Sequence, residues 1–156
     1  MAHDKENDGY DVVQPSRIEY FPWHFSDKSH QPQIRCILNI HDVWQRVVLE
    51  AREPNVARLK LAWWREELIR MKSGQAVHAI LAEGLSFPDE AIDTLDKALD
   101  AYDQILWENS VAKLNLTSDV GPLIHQAICL VQDPKGWDAA LESFCQPLGQ
   151  AWLFYL

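Results

Sequence analysis

The strongest hydrophobic pattern in the chain lies in the segment from Pro54 to Lys72. Its apolar residues recur at spacings of four and three, which places them on one face of an α-helix. These residues are Ala57, Leu61, Trp64, Leu68 and Met71. Proline suits the first turn of a helix, where its missing N–H has no helical partner, and Gly74 is a typical residue just after a helix end. The pattern predicts an amphipathic helix from about Asn55 to Lys72.

Helical periodicity also runs through most of the remaining chain, and no segment shows the alternation of a β-strand. The segment before Pro54 is apolar around most of its circumference, which predicts a helix contacted on several sides. Proline followed by two acids at residues 88–90 is a favourable helix start. We therefore predict an all-α fold of about six helices in an antiparallel bundle. The further helices are predicted over residues 32–51, 77–82, 88–109, from about 118 to a turn at 133–137, and from 137 onward.

The predicted 55–72 helix carries a basic stripe in a chain that is acidic overall. Arg58, Arg65 and Lys72 are spaced seven residues apart. The chain has 23 acidic and 14 basic residues and a net charge of −9. This balance argues against general nucleic-acid binding, which depends on neutralising phosphates. A solvated helix face is the favoured interpretation of the stripe, and a site for an anionic ligand is the alternative.

A stripe of four aspartates runs beside the apolar seam of the predicted 88–109 helix. Aspartates four residues apart lie on one helical face, where two carboxylates can share a Mg²⁺ ion. Such spacing arises readily by chance in a chain with this many acids, so a solvated face is again favoured. The candidate metal ligands are Asp96 and Asp100, with Asp93 and Asp103 beside them.

The length of 156 residues is sufficient for one domain with a core of its own. We expect a single domain over residues 15–156, preceded by a disordered acidic tail at 1–14. No apolar run reaches the ~20 residues that a membrane-spanning helix needs. The N-terminus has the pattern of neither a secretory signal nor a transit peptide. A cytoplasmic location is therefore expected, with peripheral membrane contact left open.

Both ends of the expected domain contain clustered aromatic residues. Residues 20–25 hold four aromatic side chains around Pro22, which predicts an extended arm lying on the helices. The last six residues are almost wholly apolar, although chain termini are usually polar and loose. This apolar end predicts burial, an oligomer or partner interface, or membrane contact. Its candidate interface residues are Trp152, Phe154 and Tyr155.

The histidines and cysteines form no recognisable metal or catalytic pattern. His41 lies among apolar neighbours, which favours a hydrogen-bonded core histidine over a ligand. The three cysteines, Cys36, Cys129 and Cys145, are widely spaced and include no C-x-x-C. We interpret them as reduced core thiols.

The amino-acid sequence of the 54–72 segment contains distinctive motifs. It contains L-A-W-W-R-E-E-L at residues 61–68, entered from Glu53-Pro54 and followed by S-G-Q and a short segment with His78; L-G-Q-A follows later, at residues 148–151. These motifs resemble the squalene/phytoene synthase family, all-α prenyl transferases that join two prenyl diphosphates head to head. The resemblance implies an abbreviated isoprenoid-synthase fold. It also implies candidate ligand-binding residues at Glu50, Arg58, Trp64 and Arg65.

The family's aspartate-rich motifs are not where the resemblance would place them. Members of the family hold the diphosphate through Mg²⁺ bound to two D-x-x-x-D motifs. The place of the first motif is taken by residues 45–50, where Glu50 is the one carboxylate. The second would fall beyond Leu156. The resemblance therefore implies that both metal sites are missing, with Mg²⁺ as the cofactor if the chain is an enzyme.

Three functions remain open from the sequence. The first is a catalytically degenerate squalene/phytoene synthase-like protein that acts through protein interaction or holds an isoprenoid lipid between helices. The family offers a precedent in a mitochondrial complex I assembly factor. The second is a Mg²⁺-dependent prenyl-diphosphate-binding transferase, or part of one, that uses the aspartate stripe. The third is an unrelated helical interaction domain.

Overall fold

A computed structural model describes residues 26–75, 77–84, 86–107 and 116–136. Within these ranges the chain forms four α-helices and one 3₁₀ helix, and no strand. The all-α bundle predicted from the periodicity is therefore confirmed, while the isoprenoid-synthase type of fold stays a prediction. The elements are α1 (Gln31–Leu49), α2 (Pro54–Lys72), η1 (Ala79–Gly84), α3 (Asp89–Trp107) and α4 (Leu116–Gln132).

Most predicted helix boundaries agree with the structure to within two residues. The segment expected as a short α-helix at 77–82 is instead the 3₁₀ helix η1. α4 begins at Leu116, before the predicted cap at Ser118 or Asp119, so Pro122 lies inside the helix. A proline there donates no backbone hydrogen bond to the preceding turn. The acidic tail, the aromatic arm at 15–25 and the predicted helix from 137 onward lie outside the described residues.

The core forms where α1 and α3 meet the other helices. α1 contacts η1 and all three of the other α-helices, and α3 packs against α2 and α4 as well as α1. All five residues predicted for the apolar face of α2 are buried, and so is most of the predicted seam of α3. Burial of these faces is what holds the helices together. The largest fully buried side chains include Ile34, Ile37, Ile40, Trp44, Leu68, Leu95, Leu99, Tyr102, Ile124 and Ile128.

Truncation of a core leucine of α3 should destabilise the fold strongly. Leu95 is 0% exposed, whereas Leu59 on the outer side of α2 is 72% exposed. We expect Leu95→Ala to lower the free energy of unfolding by about 2–5 kcal/mol, because it removes buried surface and leaves a cavity. Leu59→Ala makes the same chemical change on the surface and should alter stability by less than about 0.5 kcal/mol. Urea denaturation measures both, and equal losses would contradict this core assignment.

Candidate functional site

The two charged stripes of the sequence face each other in the structure. The basic residues of α2 meet the aspartates of α3 in an order that shows the two helices to be antiparallel. We call this set of contacts the charge ladder. Its pairs are Arg58 Nε with Asp103 (3.4 Å), Arg65 with both Asp100 and Asp96 (2.7 Å from Nε to Asp96 Oδ1), and Lys72 Nζ with Asp93 (2.7 Å).

The charge ladder lies at the surface, beside the buried seam of α2 and α3. Partial burial lowers the pKa of Arg65, but its hydrogen bonds to Asp96 and Asp100 and their charges outweigh burial and raise that pKa. The hydrogen bond that Lys72 donates to the Asp93 carboxylate raises the pKa of Lys72. Arg65 and Lys72 therefore stay charged over the ordinary pH range. Because the partners are largely solvated, each pair adds little stability and weakens as salt rises.

Arg65 lies where a metal ion shared by Asp96 and Asp100 would bind. Its guanidinium donates to both carboxylates, which is the geometry that makes arginine an effective carboxylate partner. A Mg²⁺ ion would have to displace this side chain before it could use both oxygens. Across the described ranges, no group of three His, Cys, Asp or Glu residues is arranged to hold a metal ion.

The place of the family's first aspartate motif contains a local ion pair. Arg46 Nη2 donates to Asp42, one turn earlier in α1. Glu50 follows the end of the helix, is exposed, and donates its backbone N–H to the Arg46 carbonyl. Asp42, the nearest acid outside residues 45–50, is therefore already paired with a cation of its own helix.

Trp64 is the centre of an aromatic cluster rather than an open surface. It is 4% exposed. Its ring packs edge-on against Trp44, Trp63 and His78, with centroid distances of 6.4, 4.9 and 5.4 Å. Such edge-to-face contacts add to the stability gained by burial. Trp64 therefore joins α2 to α1 and to the segment before η1.

Arg58 lies at the end of the charge ladder, against an exposed aromatic ring. Its guanidinium carbon is 3.1 Å from the ring centroid of Trp107, which is 70% exposed. This is a cation–π contact.

Of the four candidate ligand-binding residues, the structure brings Arg58 and Arg65 onto the face toward α3. It places Trp64 in the core and Glu50 beyond the end of α1.

Glu67 is a buried carboxylate that the sequence analysis did not single out. It is 2% exposed. Its Oε1 accepts a hydrogen bond from Arg70 Nη1 at 2.8 Å, and its Oε2 accepts one from the backbone N–H of His78 at 2.7 Å. Glu67 thereby ties α2 to the segment that enters η1. Its position three residues after Trp64 and one before Leu68 was the available signal, because that position borders the core face.

His41 is a hydrogen-bonded core histidine, as its apolar neighbours predicted. It is 1% exposed, and its Nδ1 lies 2.6 Å from the hydroxyl of Tyr102 on α3. Burial lowers the pKa of His41 to about 4, against a smaller opposing effect of the Asp42 charge. The imidazole is therefore neutral at pH 7. Among the cysteines, Cys36 is a buried free thiol whose Sγ donates to the Ile80 carbonyl at 3.1 Å.

The outer side of α2 exposes several large apolar side chains. This exposure was not expected from the sequence, because the exposed residues follow no continuous stripe. We call this surface the α2 outer face, and it is formed by Val56 (44% exposed), Leu59 (72%), Trp63 (43%) and Ile69 (64%).

Comparison of the chain with protein-family models, curated proteins and solved structures found no match. Among the described helices, none has the length and apolar character to cross a membrane. The candidate interface residues Trp152, Phe154 and Tyr155 lie outside the described part of the chain, so that interface stays a prediction.

Loss of one oxygen acceptor at Glu67 should destabilise the fold, although Glu67 is not part of the charge ladder. Glu67→Gln keeps the size but replaces one acceptor by an NH₂ group that cannot accept the Arg70 or His78 hydrogen bond. We expect a loss of about 1–3 kcal/mol in the free energy of unfolding. The adjacent exposed residue supplies the control, since Glu66→Gln should be near neutral. Urea denaturation of both variants is the measurement, and a neutral Glu67→Gln would contradict the role assigned to this carboxylate.

Proposed function

We propose that this chain is a catalytically degenerate relative of the squalene/phytoene synthases that acts through protein interaction. The observation that carries the proposal is the double contact of Arg65 with Asp96 and Asp100. Head-to-head prenyl transfer needs free carboxylates to hold Mg²⁺ on the leaving diphosphate. In this chain, the candidate metal ligands Asp96 and Asp100, which have the D-x-x-x-D spacing, are bound to Arg65.

The same contacts reduce the attraction of the chain for a diphosphate. Arg58, Arg65 and Lys72 are the basic residues that such an anion would use, and each faces an aspartate of α3. A ligand that took up these cations would have to break the charge ladder and leave aspartates facing its own negative charge. Electrostatics therefore favours the ion pairs of the charge ladder over diphosphate binding.

The α2 outer face supports an interaction role. An apolar surface on one helix, bordered by polar residues, is typical of a site where another protein binds. The same helix and its N-cap residue also expose charged residues of both signs, namely Lys60, Arg70, Glu53 and Glu66. A face with both signs of charge can be complementary to itself across a two-fold axis. We therefore propose a second copy of this chain as the partner at the α2 outer face.

Calorimetry with farnesyl diphosphate tests the loss of catalysis. We expect no Mg²⁺-dependent binding, because Arg65 occupies the carboxylates that the metal needs. The titration is run with Mg²⁺ and with EDTA on the wild-type chain and on Asp96→Asn. Tight binding that is abolished by EDTA and weakened in Asp96→Asn would overturn the proposal and restore the transferase alternative. Metal-independent binding of a neutral prenyl alcohol would instead favour lipid holding.

Sedimentation velocity tests the α2 outer face. We expect the average mass of the wild-type chain to rise with concentration and Leu59→Glu to suppress that rise, because a carboxylate would be buried in the contact. Gln104→Glu introduces the same charge at an exposed position of α3 and should behave as the wild-type chain. A mass that stays monomeric in the wild-type chain, or rises equally in Leu59→Glu, would contradict self-association through this face.

A further inference from the structure

A buried histidine and a buried tyrosine connect the two central helices. The hydroxyl of Tyr102 on α3 lies 2.6 Å from Nδ1 of His41 on α1, and 3.4 Å from the His41 backbone carbonyl. Tyr102 is 0% exposed and His41 is 1% exposed. We assign the neutral imidazole the tautomer whose Nδ1 carries a lone pair, in which the hydroxyl donates to that nitrogen.

The surroundings of this pair are apolar and aromatic. The Tyr102 ring packs edge-on against Trp44 with centroids 6.1 Å apart, and Trp44 is itself 0% exposed. A positive charge on His41 would lie in this environment without water to solvate it. Burial accordingly lowers the pKa of His41, and the opposing charge of Asp42 does not compensate. The Asp42 carboxylate is already bound by Arg46.

Several charged groups on the packed helices pair with one another. On α2 and α3, the charge ladder pairs basic residues with aspartates, and Glu67 binds Arg70. The half-buried His125 of α4 has its own pKa lowered by burial. The titratable groups on elements that pack against α1 include Arg58, Arg65, Glu67, Asp96, Asp100, Asp103, Asp119 and His125, with His78 just before η1.

We propose that the His41–Tyr102 pair is an acid-sensitive latch between α1 and α3. When His41 takes up a proton, the contact opens and the aromatic core around Trp44 loses its fixed packing. This property is independent of the interaction role proposed above. It requires no ligand, since the proton is the effector.

The hydrogen-bond geometry explains why protonation opens the contact. A proton on Nδ1 turns this nitrogen from acceptor into donor, so the Tyr102 hydroxyl must redirect its own proton. One acceptor nearby is the His41 carbonyl, whose 3.4 Å distance makes a weak hydrogen bond. The imidazolium then lies in the apolar core, where the neutral Tyr102 hydroxyl does not compensate its charge. Separation of α1 from α3 lets water solvate the charge.

The direction of the pH dependence follows from linkage. An unfolded histidine titrates near pH 6.5, above the value for folded His41, so the open or unfolded state binds the proton first. The latch is therefore fully closed above about pH 6.5. Its contribution falls as the pH drops from there toward about 4, the pKa of folded His41.

Denaturant unfolding of the full chain at pH 7.5 and pH 4.5, followed by near-UV and far-UV circular dichroism, tests the latch. We expect the unfolding equilibrium constant of the wild-type chain to rise roughly a hundredfold more between these pH values than that of His41→Asn. Asparagine can accept the Tyr102 hydrogen bond but cannot be protonated. Near-UV signal should be lost before far-UV signal in the wild-type chain.

Two controls isolate the contribution of the latch. His30→Asn makes the same change before the first turn of α1 and should retain the wild-type acid response. Tyr102→Phe removes the donor that stabilises neutral His41, so its acid transition should move to higher pH. An equal acid response in His41→Asn and the wild-type chain would overturn the proposal. If His41→Asn does not fold, an NMR titration of wild-type His41 near pH 6.5 would overturn it equally.

Discussion

The structure depends on the burial of α1. The buried side chains of this helix, from Ile34 to Val48, are spread over more than half of its circumference. A helix with so wide an apolar face is stable in water when other elements cover it from several directions. α2, α3, α4 and η1 all contact it, so α1 becomes the centre of the bundle. The polar groups that are buried with it, above all His41, must then find their hydrogen bonds inside the core.

Two kinds of contact fix the orientation of α2 relative to α3: apolar packing and ion pairing. Each helix has a buried seam with a charged stripe beside it, and the charge ladder forms when the seams meet in the antiparallel orientation. In a parallel orientation the basic residues of α2 would meet the aspartates in a different order. The ladder adds little stability for each pair, because the charges are solvated. Its consequence for the proposed function is that the candidate anion-binding and metal-binding residues are paired with one another.

The interaction role proposed above relies on the exposed side of α2. The W-W-R segment that resembles a prenyl transferase uses Trp64 for core packing and Arg65 for an ion pair. Trp63, one residue earlier, is half-exposed and belongs to the α2 outer face with Leu59 and Ile69. The stretch that carries the family resemblance thus supplies core packing and ion pairing to the described bundle. The resemblance to the squalene/phytoene synthases rests on the sequence motifs and stays a prediction.

Local periodicity was sufficient to predict the four described α-helices, their buried faces and the core role of His41. Apolar residues that repeat every 3.6 positions lie on the side of a helix that packs into the core. Periodicity also revealed both charged stripes, but as separate solvated faces. The contact between them is an interaction of residues about 20–45 positions apart, which no local pattern encodes. The contact of His41 with Tyr102, 61 positions apart, was missed for the same reason. The sequence by itself determined which residues are apolar, charged and helical. The tertiary structure decided which of them meet, since burial and long-range contact depend on how the helices pack.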